Sequence, residues 1–220
     1  MLLAWAAPGA PPELEKARDA QDRAALDRIA GQLSATAQQR PKDADAQYRL
    51  ALAQSYVAEV AIEVKDNQKA RDAAETGIKA AERAVGMNGA SAEFHRILGT
   101  LCGQVIPAAK LAGLTRGKCA LDEVNKAMQL DPKSALNYVS RGVGNYYLPP
   151  AFGGGVDLAV KDFQKAIELD PRAADAYLWL GISLRKSGHN ADARKAFQKA
   201  MELNPARLWA KQQLEKTPAQ

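Results

Sequence analysis

The sequence predicts an all-α protein, an α-solenoid of about four helix pairs with long, variable insertions inside the pairs and capping helices at both ends. Three observations predict it. Asp170-Pro171 and Asn204-Pro205 stand 34 residues apart, with small and large apolar residues at helical spacing between them. Related runs recur upstream as AVKDFQKAIELDP, CALDEVNKAMQLDP and a degenerate GIKAAERAVGMNG. The unit-closing residues Pro41, Gly89, Pro132, Pro171 and Pro205 are spaced 48, 43, 39 and 34, so insertions of 14, 9, 5 and 0 residues ride on one period. Self-similarity at a fixed period is the signature of a stacked repeat.

The elements follow in order. Residues 1–11, MLLAWAAPGAP, form an apolar stretch in which Ala4-Trp5-Ala6 fits the A-x-A pattern of a signal-peptidase site. It is read as the tail of a secretory signal whose start is missing, or else as a disordered end. Residues 12–41 carry Leu14, Ala17, Ala24, Leu26, Ile29 and Leu33 and are expected to form one or two capping helices. The repeat region, 42–204, divides into units near 44–89, 92–132, 135–171 and 174–205. The first two hold long helices, over 44–63 with 67–86, and over 91–104 with about 108–130. Residues 205–220 give a C-terminal capping helix and a tail, with Leu208 and Leu214 inward and Lys211 and Lys216 outward.

The stretch YLPPAFGGGVD, Tyr147 to Asp157, is the five-residue insertion of the third unit. A glycine-rich turn opening a helix can cradle a phosphate. Such a loop follows a strand and carries Lys-Ser/Thr after its glycines. Here a helix precedes it and Val156-Asp157 follows. It reads as a spacer between helices 134–147 and 157–169, with Phe152 packed back on the pair.

The last unit resembles a tetratricopeptide repeat. That pattern runs W-x2-L-G-x2-Y, A-x3-F, P. Here it reads Tyr177-x2-Leu180-Gly181-x2-Leu184, Ala193-x3-Phe197, Pro205, with Tyr for Trp and Leu for Tyr. The resemblance implies a right-handed solenoid in which Gly181, Ala193 and Ala200 let two helices approach. Unequal inserted repeats in KCALDEVNKAMQLDP, GVGNYYLPPAFGG and AVKDFQKAIELDP are also similar to the tetratricopeptide proteins related to the regulators of microtubule dynamics, and to the T-component of TRAP-type transporters.

Little in the chain suggests catalysis. No G-x-S-x-G, H-E-x-x-H, Walker or Rossmann sequence is present. His95 takes a large inward position and is expected in the core, and His189 in a wet turn. No enzyme activity, catalytic residue, metal or cofactor is expected. Cys102 and Cys119 match no zinc or CxxC spacing. They pair in an oxidising compartment or stay two buried thiols in the cytosol. Residues 181–220 hold eight Lys/Arg and three Asp/Glu, whereas the first 180 balance at 22 each. Such an end meets an acidic partner, anionic lipid or nucleic acid, or is simply a solvated basic face. No apolar run reaches the roughly 20 residues that span a bilayer.

In tetratricopeptide arrays the first helix of each pair lines the concave face. Counting from the glycine position, the resemblance places there Tyr48 and Leu52, then Arg96, then Val139, Val143 and Tyr146, then Leu178, Ile182 and Arg185. The Lys/Asn/Arg clamp for a terminal carboxylate is absent, with Tyr48, Leu52, Ile97, Ser140 and Trp179 at the comparable sites. The expectation is a non-enzymatic scaffold, periplasmic or secreted, that binds a protein or peptide through this face. The alternatives are a cytoplasmic protein, a strip filled by the N-terminal segment or by a second copy in an oligomer, and a periplasmic accessory of a solute transporter binding a small apolar ligand or its binding protein. Nucleic acid is not expected.

Overall fold

The computed structural model describes residues 11–108 and 112–219, apart from the side chains of 108, 112–114 and 152. The signal-like segment and the contact expected of Phe152 lie outside the described residues. Everything described is helix, turn or loop. The helices are α1 (Pro12–Asp19), α2 (Arg23–Gln39), α3 (Ala44–Glu63), α4 (Asn67–Met87), α5 (Ala92–Ala108), α6 (Ala112–Leu130), α7 (Ala135–Tyr147), α8 (Val156–Leu169), α9 (Ala174–Lys186), α10 (Asn190–Leu203) and α11 (Leu208–Glu215).

Local chemistry sets where helices begin. Pro12 opens α1 at a position that needs no N–H donor. The Asp22, Asp43 and Asp66 carboxylates accept from the first free N–H groups of α2, α3 and α4, at 3.0–3.1 Å. Ser91 and Ser134 do the same for α5 and α7.

The chain forms two compact units, residues 1–131 and 132–220. In the first, α1 and α2 pack on α3, α3 pairs with α4, and α5 pairs with α6. The core there is rich in alanine, with Ala51, Ala58, Ala70, Ala74 and Ala84 fully enclosed. In the second, α7 pairs with α8, α9 with α10, and α11 closes on α10. Here the bulk comes from Phe163 and Phe197, both fully buried. Each such ring contributes about 1.5–3 kcal/mol by leaving water.

One contact recurs. A Cβ added to Gly181 would lie 2.6 Å from the Phe197 ring, and one added to Gly142 would lie 2.5 Å from Phe163. Gly99 meets Val124 the same way at 2.7 Å. Gly181, expected to admit a neighbouring helix, therefore does so, and Gly142 and Gly99 do likewise, each against the large residue of the second helix.

The spacer contains a 3-10 turn, Pro150–Phe152. Gly153 and Gly155 have φ of 84° and 124°, values that favour glycine. Gly155 N–H donates to Asn145 O at 2.9 Å, which ties the turn to the end of α7. Gly154 is pressed against Leu148 O. Asn145 and Arg141 both bond the buried Asp162 of α8, so the α7–α8 pair is stitched by a charge-assisted network.

Cys102 of α5 and Cys119 of α6 form a disulfide, with Cα atoms 6.0 Å apart. His95 is buried, as a core residue should be, but it is polar in its contacts. Its Nδ1 lies 2.5 Å from Glu123 Oε2 and its Nε2 lies 3.0 Å from Gly89 O. His189 is exposed at the start of α10.

Candidate interaction surface

The nine residues expected on the concave face divide by what already occupies them. Tyr48 and Leu52 are buried, each at 2 % exposure, within the core of the first unit, so they are corrected from surface to core. Tyr48 stacks on Phe94 at 5.1 Å and donates to Glu93 Oε1 at 2.9 Å. Burial, then the Glu93 charge, holds the Tyr48 hydroxyl well above the ordinary tyrosine range. Arg96 grips the same carboxylate through Nε at 2.7 Å and Nη2 at 2.5 Å. Its burial works against the charge, and Glu93 more than offsets this and raises its pKa. Arg96 is thus committed to an ion pair inside its own helix rather than left for a partner.

Leu178 and Ile182 are corrected likewise. Both are buried in a cluster with Phe197, Trp209 and Ala210, because α11 packs where an open face was expected. Arg185 is half-buried and serves α11 as well. It donates to Gln213 O at 3.2 Å, Gln213 Oε1 at 2.6 Å and Thr217 Oγ1 at 3.3 Å. Arg194 donates to Leu214 O at 3.2 Å and Thr217 O at 2.7 Å. Two guanidinium groups therefore satisfy the open carbonyls and the negative end of that helix.

Val139, Val143 and Tyr146 remain half-exposed on α7. They recur at i, i+4 and i+7, which places them on one helical stripe. Leu136 and Tyr147, at 52 % and 38 % exposure, extend the apolar surface of this helix.

An aromatic row continues from it, and the sequence reading missed it. Tyr146 meets Trp179 of α9 at 5.8 Å, and Trp179 meets Trp209 of α11 at 5.3 Å, both edge-to-face. Phe163 stacks beneath Trp179 at 6.4 Å. Aromatic pairs in such geometry add about 0.5–1.5 kcal/mol beyond their burial. The available signal was Trp179 and Trp209 falling on successive first helices, Trp179 one position after the counted Leu178.

The polar tips of this row are unbonded, although Trp209 itself is largely buried. Among the described residues, Tyr146 Oη, Trp179 Nε1 and Trp209 Nε1 have no hydrogen-bond partner, and none is shut off from solvent. Lys186 is exposed, with Nζ 4.1 Å from the centre of the Tyr146 ring and 3.1 Å from Tyr146 O. Burial raises the Tyr146 pKa, and Arg185 acts against it.

Elsewhere a small recess is lined by Arg23, Leu26, Asp27, Val57, Val60, Ala61 and Lys69. Its volume of ≈ 10 Å³ is about room for one water. Among the described residues no helix is long and apolar enough to cross a membrane.

Solved structures align with this chain. TTC0263, a tetratricopeptide protein of Thermus thermophilus, aligns over 93 % of this chain and 97 % of its own, at TM-score 0.64 and 18 % identity. PilF of Pseudomonas aeruginosa aligns over 76 % and 68 %, at TM-score 0.47 and 18 % identity. MamA of Desulfovibrio magneticus aligns over 90 % and 99 %, at TM-score 0.46 and 16 % identity. At such identities the first shows the fold and no more. No curated protein matches this chain. A tetratricopeptide-repeat family model matches residues 152–207, which hold the two Gly–Phe-paired second helices. The model for regulator of microtubule dynamics protein 1-3 matches residues 13–148, from the capping helices to the end of α7. Matched over more than half its length and built of stacked helix pairs, this tetratricopeptide-repeat chain belongs to the regulator of microtubule dynamics protein 1-3 family.

Proposed function

We propose that the protein is a non-catalytic scaffold that binds a protein partner through the first-helix surface of its C-terminal unit, centred on Val139, Val143 and Tyr146 of α7. Tetratricopeptide arrays generally act as interaction scaffolds. One observation carries the placement. The other six expected positions are spent on the protein's own core, ion pairs or helix end, whereas the α7 stripe stays half-open and leads into an aromatic row. Aromatic anchors of this kind are favoured in recognition surfaces.

We place this scaffold in an oxidising compartment, periplasmic or extracellular. The A-x-A-like Ala4-Trp5-Ala6 and the Cys102–Cys119 bridge support that reading. The small-ligand transporter role draws no support from a recess with room for one water.

The test is affinity capture from an envelope extract with the full chain as bait. Val139→Glu with Val143→Glu should abolish capture while circular dichroism stays unchanged. Capture that survives both charges refutes the placement.

A further inference from the structure

The chemistry around the aromatic row narrows the kind of partner, and this narrowing rests on the α7 surface being the binding face. The row presents hydrogen-bond donors. The two indole N–H groups can only donate, and both lack an acceptor among the described residues. Beside them stand two cations with no carboxylate partner. Lys186 bonds a backbone carbonyl and lies against a ring. The acceptors of Arg185 are the Gln213 and Thr217 oxygens, all neutral. Four other cations of the unit lie beside carboxylates. Arg141 is paired with Asp162, Lys165 with Glu168, Lys195 with Asp192 and Lys199 with Glu202.

The charge count agrees. Residues 132–220 carry 13 Lys/Arg and eight Asp/Glu, so this unit holds the whole surplus of the +5 chain. Donors and unpaired positive charge flanking apolar rings call for an occupant rich in acceptors, negatively charged and partly apolar. A peptide segment with carboxylates spaced among apolar side chains meets all three demands. The apolar residues seat on Val143 and the rings, and the carboxylates meet Lys186 and the indole donors. Complementary charge of this kind sets specificity and speeds encounter.

We infer that the Tyr146–Trp179–Trp209 row with Lys186 is the recognition site for an acidic, apolar-interspersed peptide segment of a partner protein.

The test uses the full chain and a fluorescein-labelled peptide rich in glutamate with interspersed leucine. Its counterpart has lysine at every glutamate. Phosphatidylglycerol vesicles and oligo-deoxythymidine serve as rival anions. The acidic peptide should raise anisotropy on binding and perturb tryptophan fluorescence. The lysine peptide should not bind. Lys186 is exposed, so Lys186→Glu should fold normally and weaken the acidic peptide by about tenfold or more, with Lys186→Gln in between. Equal binding of both peptides, an unaffected Lys186→Glu, or binding of vesicles or DNA without the acidic peptide overturns the inference. If envelope capture depends on Val143 but not on Lys186, the α7 surface stands and the acidic class falls.

Discussion

Gly142 and Gly144 stand two residues apart on α7 and should respond to alanine in opposite directions. A Cβ at position 142 would lie 2.5, 2.8 and 2.9 Å from three atoms of the Phe163 ring, whereas one at 144 would meet nothing within 4 Å. Phe163 is fully buried, so its ring cannot swing aside into solvent. Both substitutions gain the helix preference of alanine over glycine, about 1 kcal/mol. Only Gly142→Ala overpacks, at a cost of about 1–3 kcal/mol. Gly144→Ala should therefore stabilise by up to about 1 kcal/mol. Gly142→Ala should be neutral to about 2 kcal/mol destabilised. The difference between the two variants isolates the packing cost, because the propensity gain cancels. At about 2–4 °C per kcal/mol for a chain of this size, the two melting temperatures should differ by several degrees. Thermal and urea melts followed by circular dichroism measure it. A Gly142→Ala protein as stable as Gly144→Ala refutes the close helix approach, and with it the register of the third pair.

Gly181→Leu should be worse than Gly142→Ala, since its first carbon already stands 2.6 Å from Phe197, and a melting temperature equal to wild type would remove that contact. Cys102 and Cys119 should resist alkylation in denaturant until reduced, and Cys102→Ser with Cys119→Ser should cost roughly 3 kcal/mol in the chain-entropy model. Labelling of both thiols without reductant would exclude the bridge. Asp162→Ala leaves Arg141 and Asn145 without their shared acceptor. Arg141 is partly solvated, so the loss should fall below the roughly 3–5 kcal/mol of a fully buried pair. An unchanged urea midpoint would contradict it. Above pH 10 stability should fall, because Tyr48 and Tyr146 are raised in the folded protein and ionise first in the unfolded chain. Tyrosine absorbance during alkaline titration should show Tyr48 ionising only with unfolding and Tyr146 ionising later than a solvated tyrosine.

Helix boundaries were largely legible, since they depend on local signals. Asp and Ser caps, the closing prolines and the small–large spacing act within one turn of the residues they govern. The spacer was also legible, because Gly153 and Gly155 answer to backbone conformation alone. The state of the inner face was not. Ile182 and Val143 hold equivalent places in successive repeats, yet one is core and the other half-open. What separates them is α11, whose packing depends on tertiary contact and on the arginines that hold its end. Tyr48 was misjudged for a related reason, since its neighbour Phe94 lies 46 positions along the chain. The signature positions identified seams between helices well and left their outward residues undetermined.

The lengths of the helix pairs bear on how such an array changes over generations. Helices α3 and α4 have 20 and 21 residues, whereas α9 and α10 have 13 and 14. The 14 added residues are therefore shared, seven to each helix. Seven is close to two whole turns, and an α-helix drifts only about 20° over that interval. Every side chain beyond the addition still points toward the seam it faced before. The third pair keeps the short lengths, 13 and 14, and puts its five extra residues into the connecting turn. The second pair adds four residues to its first helix and five to its second, so its growth too is shared between both helices, whereas the third pair grows in its connection. A deletion of seven residues within both α3 and α4 should keep the remaining faces in place, whereas five from within each would rotate them by about 140° and require repacking.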